Sequence, residues 1–233
     1  MNIGIDIDNV VNNFDEGFIA ACKEYDKKLR NAGMVNKNAD NMLEVFDWTF
    51  EERMDFLAER CEELAKKLDI KWDCKKYIDK LLEEGHNVYL ITNRAEPCFT
   101  KPQESTIEWL EEHDVNYTEL IFSESPDKTK ECRENKIDFM FDDRLDQCKL
   151  MLKQGINCVV MLTEYNKYHL KHIPQVANWK GIYYFIKQKE RKEIRANNQK
   201  NKNTKSKQQK IYEALQRSKE GSDKFILDYE GEI

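Results

Sequence analysis

Short apolar runs alternate with longer stretches of helical periodicity through most of the chain. Asn2-Ile3-Gly4-Ile5-Asp6-Ile7-Asp8 places isoleucine at every second position, the period of a strand. Four further runs predict strands: Asn87–Thr92, Glu119–Phe122, Ile137–Phe141 and Asn157–Leu162. Between them lie amphipathic segments. Trp72–Glu84 carries Trp72, Ile78, Leu81 and Leu82 and stops at Gly85; Arg144–Gln154 carries Leu145, Cys148, Leu150 and Leu152 and stops at Gly155. Glycine just past the last turn is a common helix stop. Gln103–Glu112 and the short, polar Lys128–Asn135 complete the alternation. The pattern predicts an α/β fold, a Rossmann-like parallel sheet with helices on both faces.

One stretch does not alternate. From Asn12 to Lys71 everything reads as helix or loop, with amphipathic Phe14–Arg30 and Phe50–Leu68 separated by the Asn-rich Asn31–Asn41. This predicts a small helical cap inserted after the first strand, over the carboxyl edge where open α/β sheets bind ligands. The expected division is a core of 1–12 and 72–186, a cap of 13–71, and an extension of 187–233. After Leu162 one or two more helices are expected, anchored by Trp179, Ile182, Tyr184, Phe185 and Ile186.

Composition narrows the class. A chain of 233 residues has room for one α/β domain with an insertion, or for two small domains. No apolar run reaches the roughly 18 residues of a membrane span, and no short apolar block follows a basic start, so neither membrane insertion nor export is expected. Seven cysteines, an odd number with no CxxC pair, argue against a zinc cluster or a secreted disulfide framework and favour a reducing cytosol. His86 and His113, beside charged neighbours, read as surface residues. His169 and His172 lack a third ligand, so no metal is placed there. Charge is uneven: Lys187 to Lys210 carries a net +8, residues 211–233 carry −3, and residues 1–186 carry −11.

Four polar clusters stand at the ends of apolar runs. Asp6 and Asp8, two apart on a strand, would share one face and repel unless a cation sits between them; magnesium takes such oxygen ligands. Equally, the strand could end at Ile5 and leave both as loop residues. Asp142-Asp143 ends another apolar run, as metal ligands or as the N-cap of the next helix. Thr92-Asn93-Arg94 offers a hydroxyl and backbone amides to phosphate oxygens, or is an ordinary loop. Lys128 opens a helix against its dipole, for a ligand's sake or as a solvated surface residue.

The order of these clusters resembles the haloacid dehalogenase superfamily of phosphohydrolases. Asp6-Ile7-Asp8-Asn9-Val10-Val11 matches its first motif, Thr92 its second, Lys128 its third and Asp142-Asp143 its fourth, over roughly residues 1–186. The resemblance implies a core with a cap, an Asp6 nucleophile forming an aspartyl-phosphate, and Asp8 as general acid and base. It implies Mg2+ held by Asp6, the Asp8 carbonyl and Asp142, with Asp143 helping directly or through water, and Lys128, Thr92 and the Asn93 amide on the phosphoryl oxygens. Dehalogenases lack the second acid, so Asp8 points to phosphatase chemistry.

Leu-Ile-Thr-Asn-Arg, Phe-Asp-Asp-Arg and the short cap look most like the 5′(3′)-deoxyribonucleotidase branch, in which cap aromatics sandwich the base. That implies a nucleotide substrate, with Phe14, Phe46 and Trp48 as stacking residues, or else as the cap's own core, and Arg144 near phosphate or ribose. Asn93 departs from the smaller residue of many relatives, which bears on the phosphate loop. Sugar phosphates and polynucleotide 3′-phosphates are alternative substrates. A non-enzymatic alternative is a nucleic-acid-binding module that uses the basic residues 187–210, which otherwise read as a solvated extension.

Overall fold

The computed structural model describes residues 1–36, 42–164, 166–167 and 172–227. Six strands form one sheet: β1 (Asn2–Ile5), β2 (Asn87–Thr92), β3 (Glu119–Phe122), β4 (Phe139–Asp142), β5 (Cys158–Met161) and β6 (Gln175–Val176). Their order is β3-β2-β1-β4-β5-β6 and every pairing is parallel. The central strands are apolar on both faces because helices cover both: Ile3, Ile5, Met140, Phe141 and Val160 have no exposed surface. Gly4 packs closely: a Cβ there would lie 2.7 Å from Met140 Sδ, and the methionine side chain would have to shift.

The strand order reverses between β1 and β4, and in such sheets the crevice for ligands opens at the carboxyl ends on either side of that reversal. Ile5 pairs with Phe141, so Asp6 follows β1 just where Asp142 ends β4, and the Asp6 amide donates to the Phe141 carbonyl at 2.9 Å. Pairing stops at Ile5. The expected strand through Asp8 is therefore too long, because the chain turns at Asn9, whose φ is 62°. The fourth strand is shifted to include Asp142, and the two-residue β6 carries too short a pattern to be read from sequence.

Helices α1 (Phe14–Leu29) and α2 (Phe50–Lys66), with a 3-10 turn at Met42–Val45, lie between β1 and β2 in the chain. Thr49 starts α2 with a reciprocal capping box: its backbone amide donates to Glu52 Oε2 at 2.7 Å, and its Oγ1 accepts from the Glu52 amide at 3.2 Å. Phe18, Cys22, Val45, Phe46, Trp48, Phe56 and Cys61 form the core of this region, joined by Phe99 from the segment after β2.

The remaining helices are α3 (Cys74–Glu83), α4 (Pro102–Glu112), α5 (Thr129–Glu134), α6 (Leu145–Lys153) and α7 (Trp179–Leu227). Gly85 and Gly155 follow the C-caps of α3 and α6 with φ of 82° and 83°. Trp72 is 89% exposed, not part of the apolar face expected of it: the helix starts only at Cys74, after Asp73 at a φ of 62°. His86 is buried rather than on the surface, with Nδ1 3.3 Å from the Met1 amino group. His169 and residues 37–41 of the Asn-rich segment lie outside the described residues.

The chain divides into two units, Met1–Tyr183 and Tyr184–Ile233. In the first, Trp179 and Ile182 are fully buried, and Trp179 Nε1 donates to the Val10 carbonyl at 2.8 Å. In the second, α7 runs past residue 187 without a break. Tyr184 is exposed rather than an anchor, and every residue from Arg191 to Lys200 is exposed.

Candidate active site

Three carboxylates and one ammonium meet at the carboxyl ends of β1 and β4. Lys128, at the start of α5, places Nζ 2.8 Å from Asp6 Oδ1 and 2.7 Å from Asp142 Oδ2. Asp6, Asp142 and Asp143 each turn an oxygen to a common point, these atoms lying within 4.8 Å of one another. With all three acids ionised, one lysine would leave an excess of two negative charges. Burial pushes the Asp6 carboxyl up to about 7, against the pull of Lys128 and with help from Asp142 and Asp8. Burial, then Asp142 and Asp6, raise Asp143 well above the usual carboxylate range. Lys128 is raised too, because its two carboxylates outweigh its desolvation. Hard oxygen donors, the charge excess and acids reluctant to ionise alone fit a divalent cation such as magnesium.

Asp142 and Asp143 are each held by further hydrogen bonds. Asp142 Oδ1 accepts from the Arg144 amide at 2.8 Å, and Asp143 Oδ2 accepts from Asn9 Nδ2 at 2.9 Å. Asn166 donates to the Asp143 carbonyl and to the Met161 carbonyl, both at 2.8 Å. Asp8 lines the cavity over this cluster with a different set of partners: its two oxygens receive Arg94 Nη2 at 2.7 Å and Nε at 3.2 Å, and Asn12 Nδ2 at 2.9 Å. Burial would raise its pKa, but the Arg94 charge and the hydrogen bonds outweigh this and hold Asp8 below the ordinary range.

A cavity of about 810 Å³ opens over the cluster. Thr92 and Asn93, at the end of β2, line it with Lys128, and Asn93 Nδ2 is tied to the Ser123 carbonyl at 2.8 Å. Phe14, Phe18, Leu43 and Glu44 form the α1 side, and Arg144 with α6 the opposite rim. Arg144 pairs with Asp146 at 2.8 Å. Phe14 stacks on Phe18, ring centroids 5.0 Å apart.

Phe46 and Trp48 do not line this cavity, which corrects their expected place against a base. They stack on each other at 4.8 Å and are each 2% exposed; Trp48 Nε1 donates to the buried Asp26 at 3.0 Å. An indole whose N–H finds a buried carboxylate is satisfied in the core.

Arg94, Asn9, Asn12 and Asn166 were not singled out by sequence. Arg94 left a signal: it follows the β2 motif directly, and an arginine there either reaches solvent or pairs with a nearby acid. The asparagines left none, since Asn is common in loops for local reasons.

The model of the family "5' nucleotidase, deoxy (Pyrimidine), cytosolic type C protein" matches residues 1–193. The chain belongs to this nucleotidase family. It is an enzyme, a phosphatase of nucleotidase type. A nucleotidase from Clostridium acetobutylicum is 23% identical over 189 residues, which cover 80% of this nucleotidase and 93% of that one. Solved structures share the fold at lower identity. A haloacid dehalogenase-like hydrolase from Streptococcus pneumoniae matches with a TM-score of 0.55 at 11% identity, covering 79% of this chain and 97% of that one. A subfamily IA hydrolase from Geobacter sulfurreducens matches with a TM-score of 0.53 at 14% identity, covering 79% and 98%. All four motif clusters of the nucleotidase fall inside the family match, whereas α7 beyond residue 193 lies outside it. No helix among the described residues is long and apolar enough to cross a membrane.

Proposed function

We propose that this nucleotidase is magnesium-dependent and releases phosphate from nucleoside 5′- or 3′-monophosphates through an aspartyl-phosphate on Asp6. The observation that carries this reading is the convergence of Asp6, Asp142 and Asp143 within 4.8 Å, with Lys128 bridging the first two. Asp6 attacks phosphorus, and the bond to the nucleoside oxygen breaks as the carboxylate–phosphorus bond forms. Asp8 protonates the departing oxygen and then takes a proton from the water that opens the acyl phosphate. Its pairing with Arg94 favours the carboxylate, the form needed in the second step, so the first step draws on the fraction of Asp8 that takes up a proton from solvent before substrate is cleaved. Magnesium, when held by Asp6, Asp142, Asp143 and the Asp8 carbonyl, supplies positive charge to the phosphoryl oxygens. Lys128, Thr92 and the Asn93 amide orient the same oxygens. Phe14, backed by Phe18, offers the base an aromatic wall, and Arg144 lies at the ribose side of the cavity.

In this reading residues 1–12 and 72–186 form the catalytic core, 13–71 the cap and 187–233 an extension. A cytosolic location belongs to the same reading, in keeping with seven cysteines held as thiols. The test is phosphate release from nucleoside monophosphates, sugar phosphates and 3′-phosphorylated oligonucleotides, with magnesium and with EDTA, beside Asp6→Asn. Magnesium-dependent release concentrated on nucleotides and abolished by Asp6→Asn is expected. Equal turnover of sugar phosphates would remove the base from the reading and keep the mechanism.

A separate proposal concerns α7. Its net +8 between residues 187 and 210, on a helix exposed all round from Arg191 to Lys200, supports electrostatic contact with nucleic acid. Only Ile194 and Ala196 are apolar in that stretch, too few for the buried face of a membrane-surface helix. Binding of a labelled RNA that weakens steeply with salt and is lost in Arg191→Gln/Lys192→Gln/Arg195→Gln is expected; salt-independent or unchanged binding refutes it.

A further inference from the structure

Asn9 sits inside the first motif, buried, at a φ of 62°. Both polar atoms of its side chain are engaged. Nδ2 donates to Asp15 Oδ1 at 2.6 Å and to Asp143 Oδ2 at 2.9 Å, which uses both amide protons on carboxylates. Oδ1 accepts from the Asp15 backbone amide at 2.7 Å. The neighbouring Asn12 Oδ1 accepts from the Asn9 amide at 3.0 Å and from the Phe14 amide at 3.1 Å. The opening amides of α1 are thus capped by Asn9 and Asn12, whereas Asn13, in the N-cap position, makes no side-chain cap bond.

We infer that Asn9 is a positioning residue for the cation: its carboxamide aims Asp143 at the point shared with Asp6 and Asp142 and ties that ligand to the first turn of α1. The inference rests on the magnesium reading above. The residue type supports it. Gly, Asn and Asp are the residues that tolerate a positive φ most readily. Gly would satisfy the backbone and offer no donor. Asp would set a further negative charge between Asp15 and Asp143. Asn alone joins the required φ to a two-proton donor. The link also has a direction: a cation that draws on Asp143 pulls on Asn9, and through it on the Asp15 end of α1, the helix that carries Phe14 into the cavity.

The test measures magnesium binding to the full chain by titration calorimetry, with thermal melts in EDTA. Asn9→Gly keeps the backbone conformation and removes only the carboxamide. It should bind magnesium roughly 10–100-fold more weakly, the usual cost of losing a hydrogen-bond partner behind a metal ligand, and melt somewhat lower in EDTA, because the α1 cap and the donor to Asp15 and Asp143 go with the carboxamide. Asn9→Ala, strained at this φ, should melt lower in EDTA and show the same loss of magnesium affinity. In hydrogen exchange, magnesium should protect the first-turn amides of α1 in the wild type and not in Asn9→Gly. Wild-type magnesium affinity in Asn9→Gly overturns the inference and leaves the metal reading standing. A wild-type chain that takes up no magnesium overturns the metal reading and this inference with it.

Discussion

Arg94 grips the Asp8 carboxylate with two nitrogens, Nη2 to Oδ1 at 2.7 Å and Nε to Oδ2 at 3.2 Å, from a side chain that is 1% exposed. Its third nitrogen donates to Thr106 Oγ1 on α4 at 3.0 Å, and its guanidinium lies 5.1 Å from the centre of the Phe99 ring. The second acid of the first motif is thus anchored through Arg94 to α4. It does not join the cluster around Lys128.

This anchoring predicts a combined defect in Arg94→Ala. A buried charge pair broken on one side costs about 3–5 kcal/mol, so the variant should lose stability of that order in urea denaturation. Without the arginine, burial dominates and the Asp8 carboxyl rises, so the acid limb of the pH–rate profile for hydrolysis of the phosphorylated enzyme, in which Asp6 no longer titrates, should move to higher pH. Arg94→Lys should recover part of the stability but not the two-pronged grip. An unmoved acid limb in Arg94→Ala would show that Asp8 is not the group it reports.

The division between cap core and cavity wall predicts opposite behaviour for two aromatic residues. Trp48→Ala should cost about 3–5 kcal/mol, because it empties a fully packed site and strips Asp26 of a donor. Phe14, half-buried at the cavity, should cost less when truncated. Phe14→Ala should instead raise KM for nucleotides by about tenfold and leave p-nitrophenyl phosphate turnover nearly unchanged, since stacking is worth roughly 1–3 kcal/mol per base. Comparable KM values for both variants would return Trp48 to the base.

The sheet was legible because its strands are short apolar runs bounded by turn residues, and β2 and β3 fall where alternation places them. The acid clusters were legible because a carboxylate at the end of an apolar strand is costly without a partner. What was not legible follows from tertiary pairing. Nothing local separates a strand ending at Ile5 from one ending at Asp8; that depends on Asn9 adopting a positive φ. Nor does periodicity tell Trp48 from Phe14, because both lie in an apolar cap. The distinction is tertiary: Trp48 is buried against Phe46 with its N–H on Asp26, whereas Phe14 lines the cavity. Arg94 and Asp8 are far apart in the chain, and no short-range pattern records their pairing.

Proton and metal binding should be linked at the Lys128 cluster. Asp6, raised by burial to about 7, binds its proton more tightly in the folded than in the unfolded chain. Its contribution to stability is complete below the unfolded carboxyl pKa and is lost as pH rises through about 7. Asp143, also raised, acts with the same sign. In EDTA the wild type should therefore lose stability between mildly acidic and neutral pH relative to Asp6→Asn, in which this ionisation is absent. Magnesium requires the carboxylates ionised, so the melting-temperature increment it gives should grow over the same interval, with proton release in calorimetry. An increment independent of pH would mean that these carboxyls are already ionised before the cation arrives.

Lys128 is the only cation within salt-bridge distance of Asp6 and Asp142 among the described residues, which makes its replacement the most direct test of the cluster's electrostatics. Lys128→Met keeps the length of the side chain and removes the charge, leaving Asp6, Asp142 and Asp143 to repel one another. In EDTA the variant should be less stable than wild type by about 3–5 kcal/mol, the range for a buried charge left unpaired. Magnesium should restore more of the loss than it adds to the wild type, because it then supplies the only positive charge in the cluster. Turnover should not be restored in step. If Lys128 also holds a phosphoryl oxygen in the transition state, kcat should remain down by about 10²–10³-fold at saturating magnesium, the usual cost of one preorganised donor. Lys128→Met at full turnover with magnesium bound would make Lys128 a counterion of the resting site alone.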